Sequence, residues 1–336
     1  MRKHFMHYTI DENQSIQEAF VSMGLKRVET PPNLPKYGTT YYMDIYPFKG
    51  YYWIYETDDF IIDIEDIQIL EDVILDSFKI EDVVIMSAFL KSANGECLYP
   101  YEQMNSNSVF VTDMGNVDYR FLVHGGFPFV SVGVKFKRKM LETYINKHTD
   151  YSMESIKNMF HYSRGFISNK IGKIADEILN YSPSSHLGSD LFLEAKAKEW
   201  LSVTINEYFA DKYYNKISKS DESALQNVAN YINDHLSSNI PQDFLTKIAM
   251  MSPTKLKTAF KSKYHMSITE YTQRKRMNTA EHILSTTNLE INKVAKTVGY
   301  NSQSRFTTLF KKYIGVYPSE IRKLKKQNTE EKNEMT

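Results

Sequence analysis

Sulfur chemistry is almost missing from this chain. It has one cysteine, Cys97, in 336 residues, so neither a disulfide framework nor a cysteine-based zinc site can form within it. A lone cysteine of this kind reads as a small core residue. No apolar run approaches the roughly 18–20 residues of a membrane helix, and the opening MRKHFMHYTIDENQ lacks the apolar centre of a signal peptide, so a cytoplasmic protein without membrane contact is expected. Histidine is scarce where a metal centre would need it. His124 is the only one between His7 and His148, and no His-x-His pair occurs among the strands, which argues against a cupin-like metal enzyme. No Gly-rich phosphate loop and no Ser-His-Asp or Cys-His spacing is present, so the chain is read as a non-enzyme with no cofactor and no metal.

Net charge is also absent, being formally zero, but the total hides two opposed halves. Between Asp221 and Lys326 there are 17 Lys and Arg against 8 Asp and Glu, a net of +9, whereas residues 1–220 carry −7. A basic end joined to an acidic body expects a polyanion at the basic end alone. The length exceeds that of a typical single domain, and 42% hydrophobic with 24% charged residues is ordinary for packed globular chains.

Residues 37–65 are dense in aromatic and β-branched side chains, as in Tyr41-Tyr42-Met43-Asp44-Ile45-Tyr46 and Tyr51-Tyr52-Trp53-Ile54-Tyr55, with breaks at Pro47 and Gly50. They read as short strands. The pattern continues at Val83–Leu90, Ser108–Thr112, Tyr119–Val123 and Phe127–Phe136, with Asn94-Gly95 and Gly125-Gly126 as turns, while Ile67–Ile80 is ambiguous. Helical spacing follows near 136–147, 152–160, 168–181 and 189–212. The last of these helices, with Leu191, Leu193, Ala195, Ala197, Trp200 and Leu201 on one broad face, can pack on its own sheet or on a second copy of itself.

From Asp221 onward nearly everything is helical. Pro241–Met250 and Thr254–Lys263 form two short helices joined by Met251-Ser252-Pro253, where Ser252 suits an N-cap and Pro253 the first helical position. Leu256, Ala259 and Phe260 face inward, leaving Thr254, Lys255, Lys257, Thr258 and Lys261 as a polar, cationic strip suited to a major groove. Asn288–Val298, a turn at Gly299-Tyr300-Asn301 and Ser302–Tyr313 repeat the plan, with Ser302, Gln303, Arg305, Thr307, Thr308 and Lys311 outward. Between the pairs, Ser267–Ser285 reads as one helix of roughly 28 Å, a strut able to hold two reading helices about one DNA turn apart. Arg274, Lys275 and Arg276 on that strut are either phosphate contacts or structural partners.

The run Ile268-Thr269-Glu270-Tyr271, Arg274, Arg276-Met277-Asn278-Thr279-Ala280, then Ile291–Val298, Gly299-Tyr300-Asn301-Ser302-Gln303-Ser304-Arg305-Phe306, Phe310-Lys311, Gly315 and Pro318-Ser319-Glu320-Ile321-Arg322 resembles the AraC/XylS transcription regulators across the last hundred residues. Tyr300 stands where that family often has Phe, Arg305 where an aromatic or apolar residue is common, and Thr308 where several members carry Arg. The resemblance implies base reading by Thr254, Lys257, Thr258, Ser302, Gln303, Thr307 and Thr308, and an attached domain that senses a signal or dimerises, commonly a small β-barrel followed by helices. The stretch Ile167–Ile205 is similar to pyochelin-type siderophore regulators, which bears on architecture rather than on a ligand.

The expected fold is therefore α+β and multidomain. A cupin-like β-barrel effector domain spans 1–135, a helical dimerisation or packing segment 136–212, a linker 213–221, an all-α domain of two helix-turn-helix units 222–326 and a polar tail 327–336. Aromatic residues at a barrel mouth can hold a small planar or apolar ligand, and Tyr42, Tyr46, Trp53, Tyr55 and His124 are the candidates; the alternative for them is ordinary core packing. Expected partners are double-stranded promoter DNA, a second copy of the chain, a small-molecule effector and, for an activator, RNA polymerase. The alternative is control by a protein partner without any small ligand.

Overall fold

The computed structural model describes residues 5–6, 16–76, 80, 82–99, 101–113, 119–148, 150–163, 165, 168–182, 186–214, 219–264, 266–314 and 316–323. The chain divides into two compact units, Met1–Tyr208 and Phe209–Thr336.

The first unit opens with β1 (Phe5–Met6), α1 (Ile16–Ser22) and β2 (Lys26–Val28), followed by β3 (Thr39–Ile45), β4 (Phe48–Glu56), β5 (Phe60–Ile69), β6 (Val73–Asp76) and β7 (Val83–Ser92). Strands β8 (Asn94–Tyr99), β9 (Tyr101–Asn105), β10 (Ser108–Asp113), β11 (Arg120–Val123) and β12 (Phe127–Lys137) complete the set. They form two open sheets, a small one ordered β1-β6-β11-β8-β9 and a large one ordered β10-β7-β12-β5-β4-β3-β2. The expected closed barrel is thus replaced by two layers. The central strands of the large sheet are mostly buried on both faces, so the sheet needs cover on both sides.

On one face, Trp53, Phe60, Ile62, Ile64, Val132, Val134 and Phe136 pack under α2 (Arg138–Ile145), α3 (Met153–Tyr162), α4 (Asn169–Leu179) and α5 (His186–Tyr214). Trp200 of α5 is fully buried there and donates its indole N–H to Ser87 Oγ at 3.0 Å. Helix α5 therefore packs on its own sheet through Leu193, Ala197, Trp200 and Leu201, while Leu187 and Leu191 stay exposed. The other face of the large sheet looks toward the small sheet. The expected turn at Asn94-Gly95 is strand instead, paired with β11, and the glycine there serves close packing, since a Cβ at Gly95 would lie 2.4 Å from Leu122 O.

In the second unit, α6 (Lys219–Asp234) packs against α7 (Gln242–Ala249), α8 (Pro253–Tyr264) and α9 (Ile268–Thr286), and α9 also meets α10 (Ile291–Thr297) and α11 (Gln303–Ile314). Residues 213–214 lie in α5 and 219–221 in α6, so both ends of the expected linker are helical; 215–218 and the polar tail 327–336 lie outside the described residues. Two caps repeat fifty residues apart. Ser252 Oγ accepts from Lys255 N and Ser302 Oγ from Arg305 N, both at 3.3 Å, so α8 and α11 each start from a serine that satisfies a first-turn donor. The turn before α11 needs glycine twice over. Gly299 has φ +88°, and a Cβ there would sit 2.9 Å from Ser237 O. Met250 takes the corresponding left-handed cap before α8, at φ 51°.

Candidate nucleic-acid interface

The reading helices owe their position to their apolar sides. Leu256 and Phe260 of α8 are buried in a core shared with α6, α7 and the start of α9, including Leu225, Ile232, Leu245 and Tyr271. Phe306, Phe310, Tyr313 and Ile314 of α11 are likewise buried, as are Met277, Ala280 and Leu284 further along α9. Burial at this helical spacing forces the remaining sides outward. Thr254, Lys255, Lys257, Thr258 and Lys261 are all exposed on α8. At the start of α11 and along it, Ser302, Gln303, Arg305 and Thr308 are exposed, and Thr307 and Lys311 half-buried. Ser304 and Lys312 are exposed on the same helix and were not among the expected residues, although Ser304 is the fifty-residue counterpart of Thr254.

The cations on these faces differ in availability. Lys257 and Lys261 make no ion pair among the described residues, so their charge is open to an anion. Lys255 instead reaches back to Asp221 Oδ1 at 2.8 Å, and Lys311 lies over the Tyr317 ring and 4.0 Å from Glu320. The three cations of α9 are structural partners. Arg274 pairs with Glu270 at 3.1 Å and lies over Tyr313; Arg276 donates to Ser238 O at 2.7 Å; Lys275 lies over Tyr271. Burial lowers the pKa of both Arg274 and Lys275 from their ordinary values. Arg322 donates to Leu284 O at 2.7 Å and also reaches Thr287 O and Leu289 O, which caps the end of α9. A polar hollow of about 430 Å³ lies between the two helix pairs, lined in part by Asn239, Gln242, Gln273, Arg276, Asn301 and Arg305.

Glu281, also on α9, is only 4% exposed, its Oε1 has no hydrogen-bond partner among the described residues, and burial holds its carboxyl well above the usual carboxylate range. An acid raised in the folded state stabilises fully below its unfolded pKa of about 4.3, and that contribution is lost as pH rises through the folded value. Thermal melts of the chain should therefore show the second unit losing stability from pH 5 to pH 8. Glu281→Gln should flatten that slope and gain on the order of 1–3 kcal/mol at pH 8; identical slopes in the two proteins would remove the carboxyl as the cause.

The five ligand candidates of the first unit do not share a site. Trp53 and Tyr55 face the helices, Tyr55 donating to Asp190 Oδ1 at 2.6 Å. Tyr42 packs on Tyr51, and Tyr46 is 38% exposed. His124 lies 3.1 Å from Glu96 and 3.5 Å from Asp72, and the bond to Asp72 raises its pKa against the opposing effect of burial. None of the five lines the cavity that the sheets enclose, about 260 Å³ in volume. Alternation along the strands explains this, because on β4 Tyr52 points into the cavity and Trp53 away from it. Among the ionisable groups the cavity does hold are Asp63, Glu65 and Lys135.

Comparison with known proteins bears on the second unit. Residues 245–324 match a family described as a helix-turn-helix domain. The arabinose operon regulatory protein of Escherichia coli strain K12 is 29% identical over 134 residues, covering 38% of this chain and 46% of that protein. The bifunctional transcriptional activator/DNA repair enzyme AdaA of Bacillus subtilis strain 168 is 30% identical over 99 residues, covering 30% of this chain and 47% of that one. The C-terminal domain of AraT, a response regulator from Geobacillus stearothermophilus, is 30% identical over 32% of this chain and 88% of its own, with a TM-score of 0.29. The chain spans about half the length of these curated relatives. Residues 245–324 of the second unit thus match a helix-turn-helix domain, and the chain is similar there to parts of the regulators just named.

Proposed function

We propose that this protein is a cytoplasmic transcription regulator that lays α8 and α11 in successive major grooves of one promoter duplex. The carrying observation is the repeated outward face, Thr254, Lys257, Thr258 and Lys261 on one helix and Ser302, Gln303, Arg305 and Thr308 on the other, with α9 packed against both helices. Lysine and arginine neutralise phosphates, and Gln303 and Arg305 suit bidentate reading of adenine and guanine. At about 1.5 Å per residue, α9 spans roughly 28 Å, close to the one-turn spacing that such docking needs. The testing experiment is a salt titration. If four to five phosphates are neutralised, affinity for a footprinted promoter should drop about 10²–10³-fold between 50 and 200 mM salt, with a clear preference over scrambled duplex. A shallow salt response together with equal binding to scrambled duplex would remove the proposal.

The first unit supplies control in this reading, through dimerisation and an effector. Leu187 and Leu191, one helical turn apart on α5, are 75% and 62% exposed and offer a second copy an apolar contact. The enclosed cavity supports the effector. Differential affinity of the effector for two arrangements of the protein would shift their populations and hence DNA affinity. RNA polymerase is the further partner if the outcome is activation.

A further inference from the structure

We propose that the cavity between the two sheets takes a small apolar ligand carrying one protonated amine, which pairs with Glu65; the proposal rests on the effector reading above.

The cavity wall is divided. Among the described residues, the small sheet and α1 contribute only hydrocarbon, aromatic and thioether groups, among them Phe20, Leu75, Met104 and Phe121. Every polar group that the described residues bring to the cavity comes from one face of the large sheet: Tyr52 on β4, Asp63 and Glu65 on β5, Thr112 on β10, Ser131 and Lys135 on β12. The sheet register aligns them, with Tyr52 and Ser131 flanking Glu65 on the neighbouring strands and Gly133 opposite Asp63. A Cβ at Gly133 would lie 2.6 Å from Asp63 Oδ1, so the glycine makes room for that carboxylate.

The charges do not balance. Lys135 is ion-paired with Asp63, and Tyr52 joins them, donating to Asp63 Oδ2 at 2.6 Å and accepting from Lys135 at 3.3 Å. Among the described residues Asp63 Oδ1 has no hydrogen-bond partner. Among the described residues Glu65 has no cation of its own, and its one hydrogen bond comes from Ser131 Oγ, at 2.9 Å. Burial and the Asp63 carboxylate push the Glu65 carboxyl up to about 7, against the lowering by Lys135 and Ser131. Its partial exposure is area facing the cavity, which is consistent with the deep burial that shifts its titration.

An ammonium head supplies the missing positive charge and donates to the oxygen that Ser131 leaves open. An alkyl or aryl body then covers hydrocarbon wall in a space of about nine water volumes. A carboxylate head would meet two carboxylates and a lysine already engaged. A polyhydroxylated ligand would leave most of its hydroxyls against hydrocarbon without partners.

The test is calorimetric titration of the full chain with n-hexylamine, 1-hexanol and hexanoate between pH 6 and pH 8. Hexylamine should bind at least about tenfold tighter than either analogue. Its affinity should rise by up to about tenfold per pH unit below the Glu65 value and level off above it, because binding needs the ionised carboxylate. Glu65→Gln, which keeps the Ser131 bond, should lower hexylamine affinity at least about tenfold, flatten the pH profile and leave hexanol unchanged. The wild-type pH profile stands as a readout even if the variant folds poorly. Equal or tighter binding of hexanol or hexanoate, or a flat amine profile, would overturn the proposal. If hexanol or hexanoate alters DNA affinity and the amine does not, the effector reading stands and the amine assignment falls. If the amine binds as described but leaves DNA affinity unchanged, the ligand class stands and effector control falls.

Discussion

The double variant Lys257→Ala/Gln303→Ala is expected to bind its promoter site about 2–6 kcal/mol more weakly than the parent chain, roughly thirtyfold to twenty-thousandfold in affinity. Each substitution alone should cost about 1–3 kcal/mol if the contact is a well-formed base contact. The two should add, because the residues stand on different helices with separate cores and would touch different grooves. Neither change should unfold the domain, since both side chains are exposed. Lys293→Ala is the matched control, a lysine 3.7 Å from Glu290 on α10, away from both reading faces; it should change affinity little beyond its charge. Fluorescence anisotropy at fixed salt on a footprinted site checks all four proteins. Parent-like binding by both single variants would mean that α8 and α11 do not present these faces to bases.

The second unit was legible because its signals are local. Ser252 with Pro253, Ser302, and Gly299 mark where helices start and stop, and each acts within a few residues of itself. The apolar sets Leu256/Phe260 and Phe306/Phe310 fix which side of each helix is buried, which leaves the reading face by subtraction. The partners of Arg274 and Arg276 were less legible, since Tyr313 and Ser238 lie about 40 residues away in sequence. In the first unit the strands were visible but their pairing and facing were not. Aromatic abundance drew attention to Trp53 and Tyr55, whose parity turns them to the helices, whereas the neighbouring Tyr52 enters the cavity. A usable signal did exist in β5, where Phe60-Ile61-Ile62-Asp63-Ile64-Glu65 sets two carboxylates on one side of a segment whose other side, Phe60, Ile62 and Ile64, is apolar. Alone, that pattern reads as a half-solvated strand. Only the second sheet, assembled from distant segments, turns the charged side into an enclosed wall.

That enclosure sets the second large effect, in which Lys135→Met is expected to destabilise the first unit by about 3–5 kcal/mol. The side chains of Lys135 and Asp63 are 3% and 4% exposed, so removing the ammonium strands a carboxylate that already has one unpartnered oxygen. Asp63→Leu, nearly the same shape, should cost a similar amount by stranding the lysine. The double variant should recover most of the loss, because two matched apolar groups avoid the desolvation that the ion pair only partly offsets. Urea titration followed by tryptophan fluorescence isolates the effect, since both tryptophans of the chain, Trp53 and Trp200, are fully buried in the first unit. The coupling energy of the cycle should therefore be large and favourable to the pair. A loss below about 1 kcal/mol for Lys135→Met would mean that Asp63 takes up a proton when its partner is gone, and that the ion pair adds little to the folding of the first unit.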